Sequence, residues 1–223
     1  MEGGGSDRGG PLRALFADGD TRLIGRGERL HLAGEPLTHL HLLTRGWVGR
    51  TRSTAAGDAA FTGIHIPGDI LAADGLVNVA VDDDLFALND AAVRRLPVAV
   101  VREAVARDLG AAGSLLGLLA AETAFLREAL FAVGRLSSSE RLATFVLQTF
   151  RRLVAAGLVR PTERRFALPM TQSQLAGVTG VTAVHLNRVV QTLRLEGCLE
   201  LGGGFVRIDD MAALERRAGS GLR

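Results

Sequence analysis

Hydrophobic and polar positions change period along the chain. From residue 29 to about residue 96 the pattern is one of short alternating runs. Leu30 and Leu32 alternate, as do His39, His41 and Leu43, and Phe61, Gly63 and His65 alternate against Thr62, Ile64 and Ile66. Gly34-Glu35-Pro36, Arg45-Gly46, Ala56-Gly57-Asp58 and Pro67-Gly68-Asp69 mark turns, and residues 85–88 and 92–96 close the series. Many short strands with regular turns predict a sandwich or barrel-like β unit. Pro97 then suits the first turn of a helix, and Val98, Val101, Val105 and Leu109 follow at helical spacing. Residues 113–136 are one long apolar helix candidate. Within it Leu116, Leu119, Thr123, Leu126, Leu130 and Val133 follow a 3-4-3-4-3 spacing, the a/d pattern of a coiled-coil seam. At about 1.5 Å per residue the segment is roughly 35 Å long, enough to connect two domains and to pair with a copy of itself. A helix packed on its own domain is the alternative. Ser137 and Glu140 have capping-box spacing, so a new helix starts there. It carries Leu142, Phe145, Val146, Phe150 and Leu153 on one face, and Gly157 and Pro161 end it.

Residues 171–197 hold the most specific signal. Thr171 precedes Gln174 by three, a second capping box. Leu175, Ala176 and Val178 form the buried side of that helix, and Gly180 suits a positive-φ cap. A second helix begins at Thr182 as N-cap and runs to about Leu195. Ala176 lets two helices cross closely, Gly180 makes the turn, and Leu186 and Val189 anchor the second helix, which is helix-turn-helix spacing. Leu186, Val189, Val190 and Leu193 should be buried. The opposite face offers Val184, His185, Arg188 and Gln191, with Thr182 and Ala183 at the tip. Arg188 can donate two hydrogen bonds to guanine and Gln191 can pair with adenine, while Val184 makes only apolar contact. Residues 199–201 and 205–208, separated by Gly202-Gly203-Gly204, read as a β-hairpin. Two helices and a hairpin make a winged helix-turn-helix.

Composition narrows the function classes. Hydrophobic residues make up 47% of the 223 and charged residues 22%, so the chain can bury a large core. The single cysteine, Cys198, rules out a disulfide framework or a thiolate cage and reads as a small packing residue. No charge-free apolar run of about 18 residues occurs, so no membrane partner is expected. Residues 1–10 are Gly-rich and lack the apolar region of a signal peptide, so a disordered tail and a cytoplasmic protein are expected. All 26 basic residues are Arg, against 24 acids. Their distribution is uneven: residues 138–223 hold 12 Arg and 7 acids, and residues 1–137 hold 14 Arg and 17 acids. A basic C-terminal part suits a polyanionic partner. There is no nucleotide phosphate loop, Gly-x-Ser-x-Gly elbow or His-Glu-x-x-His, so an enzyme is not expected.

This layout resembles the Crp/Fnr family of bacterial transcription regulators over about residues 12–215. The β-roll likeness rests on Gly27-Glu28, Gly34-Glu35, residues 40–46 and Pro67-Gly68-Asp69. The DNA-binding likeness rests on residues 168–176 and on Val184-His185-Leu186-Asn187-Arg188. The resemblance implies an α+β fold: an N-terminal cyclic-nucleotide-binding-like β-roll of double-stranded jelly-roll type, a long dimerisation helix and a C-terminal winged helix-turn-helix. The expected division is a tail at 1–10, the sensor β-roll at 11–110, the dimerisation helix at 111–136 and the DNA-binding domain at 137–223. The family's base-reading positions fall on Ala183, Val184 and Arg188. Val184 stands where well-known members carry Glu, so their operator is not transferred. Thr171, Ser173 and the start of the second helix match phosphate-contacting positions, and Arg207 on the wing is expected to meet phosphate.

The sensor departs from the family. Cyclic-nucleotide binders carry Gly-Glu and then Arg-Ser or Arg-Thr after the Pro-Gly-Asp turn. Here those positions are Ala72-Ala73 and, near a gap, Val81-Asp82, beside Asp83 and Asp84. No cationic partner for a phosphate is expected, and the Asp82-Asp83-Asp84 run reads as a solvated turn. Cyclic AMP should therefore not bind in the usual way. A lone cysteine also excludes the family's iron–sulfur sensing. His31, His39, His41 and His65 lie in the strand region, and His39 and His41 share a face, so paired metal or haem ligation is geometrically open. Half-buried strand histidines are the simpler reading; no metal or cofactor is expected, and Trp47 should pack in the core. The expected function is sequence-specific regulation of transcription by a homodimer on near-palindromic double-stranded DNA. RNA polymerase is a candidate partner, and the effector is either an unidentified small molecule or none. The alternative is a signalling protein of the same fold that needs its effector, a small molecule or haem, before any DNA binding.

Overall fold

The computed structural model describes residues 10–53, 59–77 and 80–219. The expected tail up to residue 9 and the Ala56-Gly57-Asp58 turn lie outside them. In chain order the elements are α1 (Gly10–Ala14), β1 (Asp20–Ile24), β2 (Arg29–His31), β3 (His39–Arg45), β4 (Val48–Ser53), β5 (Ala59–His65), β6 (Ile70–Leu71), β7 (Asp84–Ala87), β8 (Ala91–Pro97), α2 (Val98–Arg107) and α3 (Leu109–Arg135). There follow α4 (Ser138–Ala155), β9 (Arg165–Ala167), α5 (Gln172–Thr179), α6 (Ala183–Leu195), β10 (Leu199–Gly202), β11 (Phe205–Ile208) and α7 (Met211–Arg217). The chain forms two compact units, residues 1–125 and 126–223, and α3 is one continuous helix across that boundary.

The first unit is built from two four-stranded antiparallel sheets, β1-β8-β3-β6 and β2-β7-β4-β5. Alternation along the strands explains how they close on each other. Ile24, Leu43, Leu71 and Val93 of one sheet share a buried cluster with Val48, Leu85 and Ala87 of the other. β3 buries its other face too. Leu40 joins Ile70 beneath Leu12, Phe16, Val98 and Val101, which come from the short N-terminal helical turns and α2. Trp47 is buried, as expected. β1 and α1 lie ahead of the predicted strand series and were not expected.

The chain passes from β3 in one sheet to β4 in the other through a turn at Gly46. Its φ is +81°, and a Cβ there would stand 2.5 Å from the Asp90 carbonyl oxygen and 2.7 Å from Ala91 Cα. Backbone approaches this closely only because no side chain intervenes.

In the second unit α4 starts with the Ser137–Glu140 capping box and buries Leu142, Phe145, Val146, Phe150 and Leu153. α5 and α6 pack on it, followed by the β10–β11 hairpin. Two elements were not anticipated: β9, which makes the wing three-stranded in the order β10-β11-β9, and the short α7. Cys198 is buried beside them.

The Gly46 contact yields a direct stability test. Replacing Gly46 by Ala combines left-handed backbone strain with two clashes against main chain, so it should cost about 3 kcal/mol. Urea unfolding monitored by Trp47 fluorescence reads this as a lower midpoint at unchanged slope.

Candidate nucleic-acid interface

Three local devices and one distant side chain set the α5–α6 pair. Thr171 Oγ1 accepts from the Gln174 amide at 3.2 Å while Gln174 Oε1 accepts from the Thr171 amide at 2.8 Å. This reciprocal cap fixes where α5 begins. Gly180 ends α5 in the left-handed region at φ 65°, where an L side chain is strained. Thr182 Oγ1 accepts from the His185 amide at 3.2 Å and starts α6. The distant side chain is Arg141 of α4. It donates to the carbonyls of Thr179 (2.8 Å), Gly180 (3.4 Å) and Leu136 (3.1 Å). One guanidinium thus satisfies carbonyls freed at the end of α5 and pins the turn to α4. No local pattern marks Arg141, so only the packed structure discloses it.

α6 buries Leu186, Val189, Val190 and Leu193. This turns Ala183, Val184, Arg188 and Gln191 to solvent, and Val184 is 68% exposed. Asn187 and Arg194 lean toward the wing, where they line a groove with Gln191, Met170, Gly203 and Phe205. His185 behaves differently from its neighbours: its Nε2 lies 3.0 Å from Ser138 Oγ, which ties the ring back to α4. Thr171 and Ser173 are both exposed at the start of α5, with the Thr171 hydroxyl already engaged in its cap.

The wing redistributes positive charge. Arg207 donates to Asp209 at 2.7 Å and to Glu200 at 3.1 Å, so its charge is matched locally. Arg165 of β9 instead lies 4.5 Å over the Phe205 ring, and Arg194 projects beside it. Among the described residues no carboxylate pairs with Arg165, Arg188 or Arg194. Phe205, 44% exposed near the wing tip, gives Arg165 a rigid platform. The sequence reading did not single out Arg165, Arg194, Asn187 or Phe205.

Leu116, Thr123, Leu126, Leu130 and Val133 are exposed, Leu130 to 75%, and so is Phe131. Thr123 donates its hydroxyl to the Leu119 carbonyl at 2.7 Å. Leu119 is half-buried and packs, with Leu115 and Leu118, on the helical cluster of the first unit. By length and composition α3 is apolar enough to cross a membrane. Yet its Glu122 pairs at 2.7 Å with Arg50 of β4, which seats the helix on the protein.

Two expectations about the β-roll interior need correction. The Asp82-Asp83-Asp84 run is not a solvated turn. Asp83 is almost wholly buried and ion-pairs with Arg50 and Arg52, and Asp84 Oδ1 accepts from the Ala33 amide at 2.8 Å; only Asp82 is fully exposed. Nor is the region without a cation. Arg50 enters it from β4, spaced far in sequence from the segments it meets, and its guanidinium is occupied by Asp74, Asp83 and Glu122. Ala72, where nucleotide binders of the resembling family carry Gly, keeps a left-handed φ of 56° that strains a non-glycine residue.

His39 and His31 lie within electrostatic reach of His41. Burial first, then the charges of His39, Arg22, Arg95 and His31, pushes the His41 imidazole down to about 4, so it is neutral near pH 7. Among the described residues no three His, Cys, Asp or Glu side chains are grouped as metal ligands.

Comparison with known proteins follows the same division. A family described as the Crp-like helix-turn-helix domain matches residues 140–217. The chain is 25% identical over 197 residues to the anaerobic regulatory protein of Pasteurella multocida, covering 88% of this chain and 71% of that one. It is 24% identical over 196 residues to the fumarate and nitrate reduction regulatory protein of Escherichia coli K12, covering 88% and 77%. Its fold is similar to that of FixK2 from Bradyrhizobium japonicum, with a TM-score of 0.79 at 22% identity, over 89% of this chain and 96% of that one. Residues 140–217 thus carry a Crp-like helix-turn-helix domain, and the chain, with a two-sheet β-roll, a long helix and a winged helix-turn-helix in that order, is similar to the Crp/Fnr transcription regulators.

Proposed function

We propose that this regulator binds a near-palindromic DNA site as a cytoplasmic homodimer, with α6 as the recognition helix of each subunit. The observation that carries the reading is the solvent face of α6. Among the described residues Arg188 stands there without a carboxylate partner, between Val184 and Gln191, on a helix that two caps and Arg141 hold in place. An unpaired, pre-positioned guanidinium suits a guanine edge in the major groove. Ala183, Val184 and Gln191 add apolar and amide contacts, while Thr171, Ser173 and Thr182 lie where phosphates would approach two helix N-termini. Pairing through Leu116, Thr123, Leu126, Leu130 and Val133 of α3 covers the apolar face that one chain leaves in water. Two copies related by a two-fold axis would place their recognition helices about 34 Å apart, in successive major grooves.

The wing contact is reassigned within this reading. Arg207 spends its charge on Glu200 and Asp209. Among the described residues Arg165 and Arg194 have no such partners, and they supply the backbone contact instead. His185, held by Ser138, positions the start of α6 rather than reading a base. In the β-roll, the guanidinium that could have met an anionic effector is already engaged by three carboxylates, which argues against cyclic AMP.

Replacing Arg188 by Ala should cost about 1–3 kcal/mol of binding to the preferred site and relax specificity at one base pair per half-site. Titration against a panel of single-base variants measures this; an equal loss on every sequence would make Arg188 a phosphate contact. Replacing Arg165 and Arg194 together by Ala should lower the slope of log affinity against log salt by about 2 per subunit. The Arg207→Ala variant should leave that slope nearly unchanged, and a larger loss for Arg207 than for the pair would reverse the assignment.

A further inference from the structure

One side-chain cluster is left unused by DNA binding. Arg50 of β4, with its side chain only 13% exposed, meets a carboxylate from each of three other places. Asp74 approaches at 3.1 Å from the short helical turn after β6, Asp83 from the turn before β7, and Glu122 at 2.7 Å from α3. Arg52, next but one on the strand, is more than half exposed; it pairs with Asp83 at 2.7 Å and reaches Asp82 at 3.8 Å. Asp69, between β5 and β6, adds negative charge within electrostatic reach of Glu122. The charged groups that act on Glu122 are therefore Arg50 of β4, Asp69, Asp74 and Asp83, and Arg52 and Asp82 extend the cluster beyond Asp83.

A guanidinium has enough N–H donors for three carboxylates but only one charge to offset them. Arg52 shares Asp83, yet with Asp74, Asp82 and Asp83 all held within the β-roll the carboxylates already outnumber the two guanidiniums. A further carboxylate arriving on α3 gains a hydrogen bond from Arg50 and meets two like charges in a poorly screened site. Glu122 is also more exposed than Asp83 or Arg50, so a proton from solvent can reach it. As the neutral acid it keeps the Arg50 hydrogen bond through its carbonyl oxygen and loses the repulsion.

We propose that Glu122 is a proton-operated fastener between α3 and the β-roll: protonated, it docks the long helix on Arg50, and ionised, it loosens that contact. Burial, together with Asp74, Asp69 and Asp83, holds its carboxyl above the usual carboxylate range, against the pull of Arg50. The sign follows from linkage. With the folded pKa raised, the stability that protonation contributes is complete below the ordinary carboxylate pKa. It is lost as pH rises through the raised value. Thr123 and Leu126 follow Glu122 on the same helix, so a looser seat is felt by the exposed apolar face as well.

The test uses full-length protein in three forms, wild type, Glu122→Gln and Asp74→Asn, over about pH 5 to 8. The Gln side chain mimics the protonated state. The thermal midpoint of wild type should fall below that of Glu122→Gln as pH rises, to a gap of about 2–4 °C. Asp74→Asn, which removes one repelling charge, should narrow the pH dependence seen in wild type. Amide hydrogen exchange across residues 118–126, corrected for its intrinsic pH dependence, should show local opening that grows with pH in wild type and stays flat in Glu122→Gln. A constant gap, no gap, or a Glu122→Gln protein that is less stable at the upper pH would overturn the proposal. It would mean that Arg50 stabilises the ionised side chain. These readouts involve no residue of α6, so absence of DNA binding would sink the proposed function and leave this inference standing.

Discussion

An apolar helix that leaves its leucines in water is the constraint on which the rest of the account depends. α3 keeps Leu116, Leu126, Leu130, Phe131 and Val133 exposed over its length. Burying a side chain of that size stabilises by about 1.5–3 kcal/mol, so the exposed face carries a large unrealised gain. Leu115, Leu118 and Leu119 show that one side of the helix finds partners within the chain. The other side does not, and a second copy of the same helix is the simplest surface of matching shape and chemistry. On the proposed reading, everything downstream follows from that pairing. One helix-turn-helix becomes two, and a single recognition face becomes a symmetric pair.

The DNA-binding unit was legible because its determinants are local. Two capping boxes, an N-cap threonine, a left-handed glycine and a 3.6-residue period lie within a few residues of what they specify. What escaped depends on residues distant in sequence. Arg141 reaches a turn 38 residues away, and His185 meets Ser138 across 47. β9 joins the wing only through pairing with β11, and its Arg165 gains meaning only when Phe205 lies beneath it. Arg207 looked available because its cross-strand partner, Glu200, becomes a neighbour only once the hairpin forms.

The β-roll shows the same divide more sharply. Its strands and turns could be read from alternation, glycines and prolines. A run of three aspartates could not be divided into one exposed, one buried and one backbone-capping residue without the fold. Asp83 is buried because Arg50 and Arg52 of the neighbouring strand receive it. Arg50 itself sits on a strand whose alternation points it inward, and a buried guanidinium demands partners. It finds them in the segments where the family's nucleotide binders hold phosphate. The interior charge that could have recognised an anion is thereby turned into an internal tie between strand, turn and long helix.

The central claim is that the protein reads a two-fold symmetric DNA site through α6 without a nucleotide effector. Selection from a random duplex pool by purified protein, at fixed salt and with no added ligand, tests it most directly. The account predicts enrichment of a near-palindrome whose half-sites are centred about one helical turn apart. Salt-sensitive binding with no enriched sequence would contradict it. The recognition helices would then be held out of register until some other signal acts on the β-roll.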